Sequence, residues 1–217
     1  MLEYIHRQNI DDRVLKRAVR VLREGGLVAF PTDTSWSVAC DIKSRAGVEK
    51  LRKLKNTNDF TPTVMTTGFT QWNEYVDLDN RAYRLVKDYA PGPFVFVFPA
   101  KPHLKNHLGP KRLEVGLRIP DHPVPLALVS ALENPLLSIT CTRKFSQPGW
   151  WDDAFAQEYL FESGNELDDI TAIDLILDTG ELLPMVLATV VDMTGAEPLV
   201  LRRGVGEIDL ELASPAS

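Results

Sequence analysis

Apolar positions along the chain fall into helical and strand-like runs that alternate, with cap and turn residues between them. After Asp11 and Asp12, residues Val14, Leu15, Ala18, Val19 and Leu22 recur on one helical face until Gly25-Gly26 stops the run. The short apolar run over 27–30 ends at Pro31 and predicts a buried strand. It delivers the polar string Thr32-Asp33-Thr34-Ser35 at its C-terminal end, where α/β sheets tend to place their sites. Ser44 caps a second helix running through Lys55, and 63–65 reads as another strand. Ala82, Leu85, Val86 and Tyr89 form a further helical stripe, broken by Pro91-Gly92-Pro93 before a strand over 94–98. Strands are also expected over 115–119, 136–140, 173–177, 190–192 and 199–201. This alternation predicts an α/β fold: one domain with a large, twisted, mixed β-sheet flanked by helices.

Composition agrees with one domain, because 217 residues with 44% hydrophobic and 25% charged side chains suffice for a single sizeable core. No apolar run approaches the roughly 20 residues of a membrane-spanning helix, and the start lacks a basic region followed by an apolar one, so a cytoplasmic protein is expected. Cys40 and Cys141 are the only cysteines and read as two small buried residues. The net charge of −6 hides an asymmetry. Residues 1–146 carry 22 basic against 15 acidic side chains, whereas 147–217 carry 2 against 15. A basic face for phosphates or RNA is therefore compatible with an acidic chain, as are two differently solvated surfaces. The turn-rich stretch 147–153, with Trp150 and Trp151, reads as a surface excursion whose tryptophans pack on the domain or cover a site.

Common catalytic signatures are absent: there is no phosphate loop ending in Gly-Lys-Ser/Thr, no Gly-x-Gly-x-x-Gly, no Gly-x-Ser-x-Gly and no His-Glu-x-x-His. His103 and His107 are four apart, but flanking prolines and polar residues favour a solvated loop over a metal site. What remains is a dispersed set of short motifs. Gly25-Gly26 and its strand lead into Pro31-Thr32-Asp33-Thr34; Pro91-Gly92-Pro93 opens a strand; Arg118-Ile119-Pro120-Asp121-His122 follows another. Ala188-Thr189-Val190-Val191-Asp192 and Arg202-Arg203-Gly204 close the series.

In that order and over residues 10–207, these motifs resemble the YrdC-like family of threonylcarbamoyl-adenylate synthases, and most closely its YciO-type branch. The resemblance implies a YrdC-like domain over 10–207, with 1–9 and 208–217 as terminal extensions. It implies a concave pocket for ATP and L-threonine on the sheet, Mg²⁺ accompanying the nucleotide, and synthesis of threonylcarbamoyl-AMP from threonine, bicarbonate and ATP. It also implies partner proteins that modify tRNA.

Carried over by position, Lys55 is the phosphate-binding and catalytic lysine, and Arg202, Thr140 and Thr142 join it around ATP. Arg118 faces the threonine carboxylate, which suits guanidinium's two-pronged geometry, and Thr32 and Thr34 hydrogen-bond the amino acid. No metal ligand is expected from the protein. Read without the resemblance, Thr32 and Thr34 are turn residues, Lys55 a solvated helix end and Arg202 an edge-strand charge.

Departures from the family pattern bear on activity. Thr57 stands where the second basic residue of a Lys-x-Arg element is expected, and Thr66 where a histidine is expected. Ser35-Trp36-Ser37 replaces a residue-Tyr-Gly string, and Arg143 or Lys144 is the nearest candidate to supply the lost charge. Two functions follow as expectations: an ATP-dependent threonylcarbamoyl-AMP synthase, weak or altered in its acid substrate, or a non-catalytic protein binding double-stranded RNA, tRNA or a nucleotide.

Overall fold

The computed structural model describes residues 1–55, 60–104, 113–145 and 157–210. The first helix, α1 (Asp12–Arg23), begins where the Asp11 carboxylate accepts from the Arg13 amide at 2.7 Å. It ends just before Gly25, whose φ of +83° lies in the left-handed region open to glycine. Helix α2 (Arg45–Lys55) is held at its start by the Ser44 hydroxyl, which accepts from the Gly47 amide at 3.2 Å. Two short helices follow, α3 (Phe69–Trp72) and α4 (Asn80–Val86), and then α5 (Pro123–Leu132), entered through a proline at its first turn.

Among the described residues, ten strands form one sheet: β1 (Leu2–Tyr4), β2 (Val28–Pro31), β3 (Trp36–Asp41), β4 (Thr63–Met65), β5 (Phe94–Pro99), β6 (Glu114–Arg118), β7 (Leu136–Thr140), β8 (Leu175–Asp178), β9 (Thr189–Asp192) and β10 (Leu199–Arg202). Their spatial order is β1-β8-β2-β3-β7-β4-β6-β5-β9-β10, and parallel and antiparallel pairs are mixed. The expected mixed α/β fold is therefore found. Strands β1 and β3 and helices α3 and α5 were not anticipated. Residues 1–9, expected as an extension, supply β1 at the sheet edge and Ile5 to the core.

Strand register assigns each side chain to a face, because residues paired across a ladder point the same way. One face carries Leu27, Ala29, Val38, Cys40, Val64, Phe96, Leu117, Leu137 and Ile139, buried in the main core with Val48 and Leu51 of α2, Trp72 of α3 and Val86 of α4. The opposite face carries Val28, Phe30, Ala39, Met65, Leu136, Leu175 and Leu177, covered by Ala18, Val19 and Leu22 of α1 and Val124, Leu128, Val129 and Leu132 of α5. These two helices cover only part of that face. Among the described residues, no helix is long and apolar enough to cross a membrane.

Candidate functional site

Beyond α1 and α5 the same face turns from apolar to hydroxyl-bearing. Ser37 of β3 lies opposite Thr140 of β7, Ser138 of β7 opposite Thr63 of β4, and Met65 of β4 opposite Arg118 of β6, so all six project to one side. They line a concavity of about 740 Å³ of empty space, measured out to its open mouth. Thr34, just past β2, and Thr142, just past β7, join them, with Lys55 at the C-terminal end of α2 and Arg202 at the end of β10. Val95, Leu187 and Ala188 give the concavity a small apolar side. Cations, hydroxyls and an apolar shelf together suit a ligand that is anionic at one end and flat or apolar at the other.

Of the seven residues expected at the site, Lys55, Thr140, Thr142, Arg202, Thr34 and Arg118 line this concavity. Thr32 sits behind them. Its hydroxyl donates to the Ser35 carbonyl at 2.7 Å and accepts from the Thr34 and Ser35 amides, closing the turn after β2. The Thr32 and Thr34 hydroxyls also lie 3.1 Å apart, with either able to be the donor by distance. Arg118 Nη2 in turn donates to Thr34 Oγ1 at 3.2 Å.

Arg118 is the best-enclosed cation of the site, and Asp33 is its counter-ion: Nη2 donates to Asp33 Oδ1 at 2.7 Å, with the two side chains 6% and 13% exposed. Burial pushes the Arg118 pKa down, while the charge and hydrogen bond of Asp33 push it back up. Arg118 Nε, Asp33 Oδ2 and Thr142 Oγ1 are buried without a hydrogen-bond partner among the described residues. Such atoms are costly to leave unpaired, about 1–3 kcal/mol each; Arg118 and Thr142 line the concavity, and Asp33 does not.

Arg202 is held at the rim by its own backbone surroundings, with Nη2 donating to the Ala188 carbonyl at 2.9 Å. Gly204, two residues on, passes the segment just before β9 so closely that a Cβ would run into the Leu187 carbonyl oxygen and the Ala188 backbone. Its amide donates to Thr189 Oγ1 at 3.0 Å. The Arg-x-Gly string is thus a device for bringing an arginine back over β9.

The departures also acquire positions. Thr66 accepts from Trp72 Nε1 at 2.7 Å, so it anchors α3 and does not line the concavity. Trp36 is wholly buried against Gly164, leaving Ser37 as the altered residue that meets the cavity. Arg143 and Lys144 do not supply the missing charge: Arg143 pairs with Glu166 over the Phe161 ring, and Lys144 pairs with Tyr159, both outside the lining. Thr57, His107 and the Trp150-Trp151 stretch lie outside the described residues. Among the described residues there is no cluster of three or more His, Cys, Asp or Glu disposed to hold a metal.

Sequence reading missed Ser37, Thr61, Thr63 and Ser138 as site lining, and Asp33 as the partner of Arg118. A signal existed for Ser138 and Thr140, polar residues at alternate positions of an otherwise apolar strand.

Known proteins place this architecture. A family model described as telomere recombination, for the Sua5, YciO and YrdC proteins, matches residues 20–204. The protein YciO of Escherichia coli, itself uncharacterised, is 31% identical over 211 residues, covering 94% of this chain and 96% of the relative. Its crystal structure superposes with a TM-score of 0.82 over 95% of this chain and 97% of that one. A threonylcarbamoyl-AMP synthase of Klebsiella pneumoniae is 29% identical over 134 residues, which is 60% of this chain and 70% of the relative. The structure of P. abyssi Sua5 complexed with L-threonine, 24% identical, shares the fold at a TM-score of 0.79 over 96% of this chain and 62% of that one. With motifs, sheet and relatives in agreement, the chain belongs to the Sua5/YciO/YrdC family.

Proposed function

We propose that the concavity binds ATP and L-threonine and forms threonylcarbamoyl-AMP, with pyrophosphate and water released from ATP, threonine and bicarbonate. The observation that carries this reading is the convergence of Lys55, Arg118 and Arg202 on one hydroxyl-lined cavity, although they lie on three separate elements. Lys55 and Arg202 are suited to the triphosphate, with Thr140 and Thr142 as hydrogen-bonding partners, and the apolar side at Val95 and Ala188 is suited to a base. Arg118 is suited to the amino-acid carboxylate, with the Thr34 hydroxyl beside it and Thr32 holding the turn on which Thr34 sits. Fixed donors around the phosphates stabilise the charge that develops as pyrophosphate departs. Mg²⁺ would arrive on the triphosphate, since it commonly keeps its waters and binds through substrate phosphates. The synthases and the threonine complex among the relatives support the substrate pair. We propose 10–207 as the functional unit, with residues 1–9 adding β1 to the edge of its sheet, in a cytoplasmic protein that hands its product to tRNA-modifying partners.

A second reading has its own support. Arg118 is already neutralised by Asp33, Thr66 serves the core, and the basic side chains are concentrated in 1–146. On that reading the chain binds double-stranded RNA, tRNA or a nucleotide without catalysis, and affinity falls steeply with salt as counterions are released.

One titration separates the two. Purified protein is given ATP and Mg²⁺, and pyrophosphate release is followed with threonine and bicarbonate present or individually omitted. Release that needs both is expected. ATP binding without release under any combination would leave the binding role.

A further inference from the structure

Helix α1 carries more positive charge than the fold uses. Its five cations are Arg13, Lys16, Arg17, Arg20 and Arg23. Two are paired within the chain, Arg13 with Asp11 and Arg17 with Glu3. Lys16, Arg20 and Arg23 are exposed and form no ion pair among the described residues. Lys16 and Arg20 are four positions apart, and Arg20 and Arg23 three, so they stand above one another on one side of the helix, where like charges repel. The helix dipole offsets part of that repulsion at Arg20 and Arg23 in the last turn, but not at Lys16.

These three cations border a groove. Asp12, Leu15, Lys16, Val19, Arg20 and Arg23 line it as a single helical stripe, completed by Glu24 and by Ala131 of α5, around about 960 Å³ of empty space measured out to its open mouth. The stripe runs roughly 16 Å, the length of α1 and about three helical turns. Val19 is buried, and Leu15 and Ala131 are partly buried, all three packed in the core beneath α1 and α5. The groove therefore has a fixed apolar floor, exposed cations along it and a carboxylate towards each end.

That distribution selects among anionic partners. A nucleic-acid backbone carries phosphates along its whole length, so following the groove it would pass Asp12 and Glu24 and leave Leu15 and Ala131 uncovered. A helix with carboxylates flanking apolar side chains matches both features: its carboxylates meet Lys16, Arg20 and Arg23, and its apolar groups cover the floor.

We propose that this groove is the docking site for an acidic amphipathic helix of a partner protein, laid alongside α1. None of the groove's residues lines the concavity, so the proposal is independent of what the concavity binds.

The test is a fluorescence-anisotropy titration of the full chain with a synthetic helical peptide of about 15 residues, carrying leucine and glutamate at three- and four-residue spacing. Saturable binding with a Kd below about 1 mM is expected at low salt, weakening as salt screens the exposed charges. The same peptide with glutamine in place of every glutamate should bind at least about tenfold more weakly. Arg20→Glu, which reverses the middle charge, should also cost at least about tenfold. Ala131→Gln obstructs the floor without changing charge and should cost a similar factor. Neither variant replaces a fully buried side chain, and circular dichroism checks that both remain folded. No saturable binding overturns the proposal, as does binding that the glutamine peptide or Arg20→Glu leaves within about threefold. A loss in Arg20→Glu with none in a folded Ala131→Gln reduces the effect to general attraction by a basic helix and likewise overturns it. An RNA duplex of about 16 base pairs that binds more tightly than the peptide, and through Arg20, gives this face to nucleic acid instead.

Discussion

Two regions of one sheet face, separated by a single step along a strand, behave as different materials. On β7, Leu136 lies under the helix pair α1 and α5, while Ser138, about 7 Å further along, lines the open concavity. On β3 the same change occurs between Ala39 and Ser37. Backbone geometry is continuous across the boundary, and the register Ala39↔Ser138 bridges it. The site is therefore made by a change of side-chain chemistry on an uninterrupted sheet, and by helices that stop short of covering it.

The largest expected effect separates the two regions by stability. Leu128→Ala, in the covered half, should cost about 2–5 kcal/mol in denaturant unfolding, because it removes a fully buried side chain between helix and sheet. Ser138→Ala should cost about 0.5–1.5 kcal/mol, the loss of its 3.1 Å hydrogen bond to the Thr63 carbonyl. Similar losses at both positions would contradict the distinction.

Ligand affinity should rank the halves in reverse. Lys55→Ala should weaken ATP binding by about 10–100-fold, corresponding to loss of a charge-assisted contact of about 1.5–3 kcal/mol. Leu128→Ala, where folded, should leave ATP affinity within about twofold of wild type. Calorimetric titration reads both.

Much of the fold was legible and part was not, for reasons visible in particular segments. Helix α1 has a clear cap, strands β2 and β5 are unbroken apolar runs, and β6 and β7 are short runs that remain mostly apolar. Strand β3 is buried on both faces yet contains Ser37, Cys40 and Asp41, so it shows neither alternation nor a continuous apolar run. Helix α5 is apolar nearly all round and begins with two prolines, which removes the helical period that reveals α1. At the site, strand-end positions of Arg118, Thr140 and Arg202 pointed to a shared location. The Asp33–Arg118 pair did not show, because 85 residues separate its members and only folding brings them together.

A smaller effect concerns pH at the edge of the covered half. His122 caps α5 by accepting from the Val124 amide through Nδ1 at 3.3 Å, and its Nε2 is buried without a partner among the described residues. Burial, then the Arg7 charge, pushes its pKa down to about 4, with Glu181 and Asp121 opposing. The unfolded chain titrates this group near 6.5, so below that pH it binds the proton more readily than the folded chain does. Stability should be full above about pH 6.5 and fall by roughly 1–3 kcal/mol as pH drops toward 4. His122→Asn keeps a capping side chain and should flatten that acid limb in denaturation series. An unchanged limb would assign the acid sensitivity elsewhere.

The smallest effect is expected outside both halves. Lys144→Ala removes an exposed contact with Tyr159 and should change stability by less than about 1 kcal/mol. ATP affinity should not move. A marked loss of affinity would restore Lys144 as a substitute for the missing basic residue.

The most direct test of the site is to map ATP and Mg²⁺ binding by amide chemical shifts in labelled protein. Perturbations should concentrate at Ser37, Thr63, Arg118, Ser138, Thr140 and Arg202, and spare Ala39 and Leu136 on the same strands. Shifts confined to the exposed cations Lys16, Arg20 and Arg23 of α1, or no saturable shifts at all, would contradict a nucleotide site in the concavity.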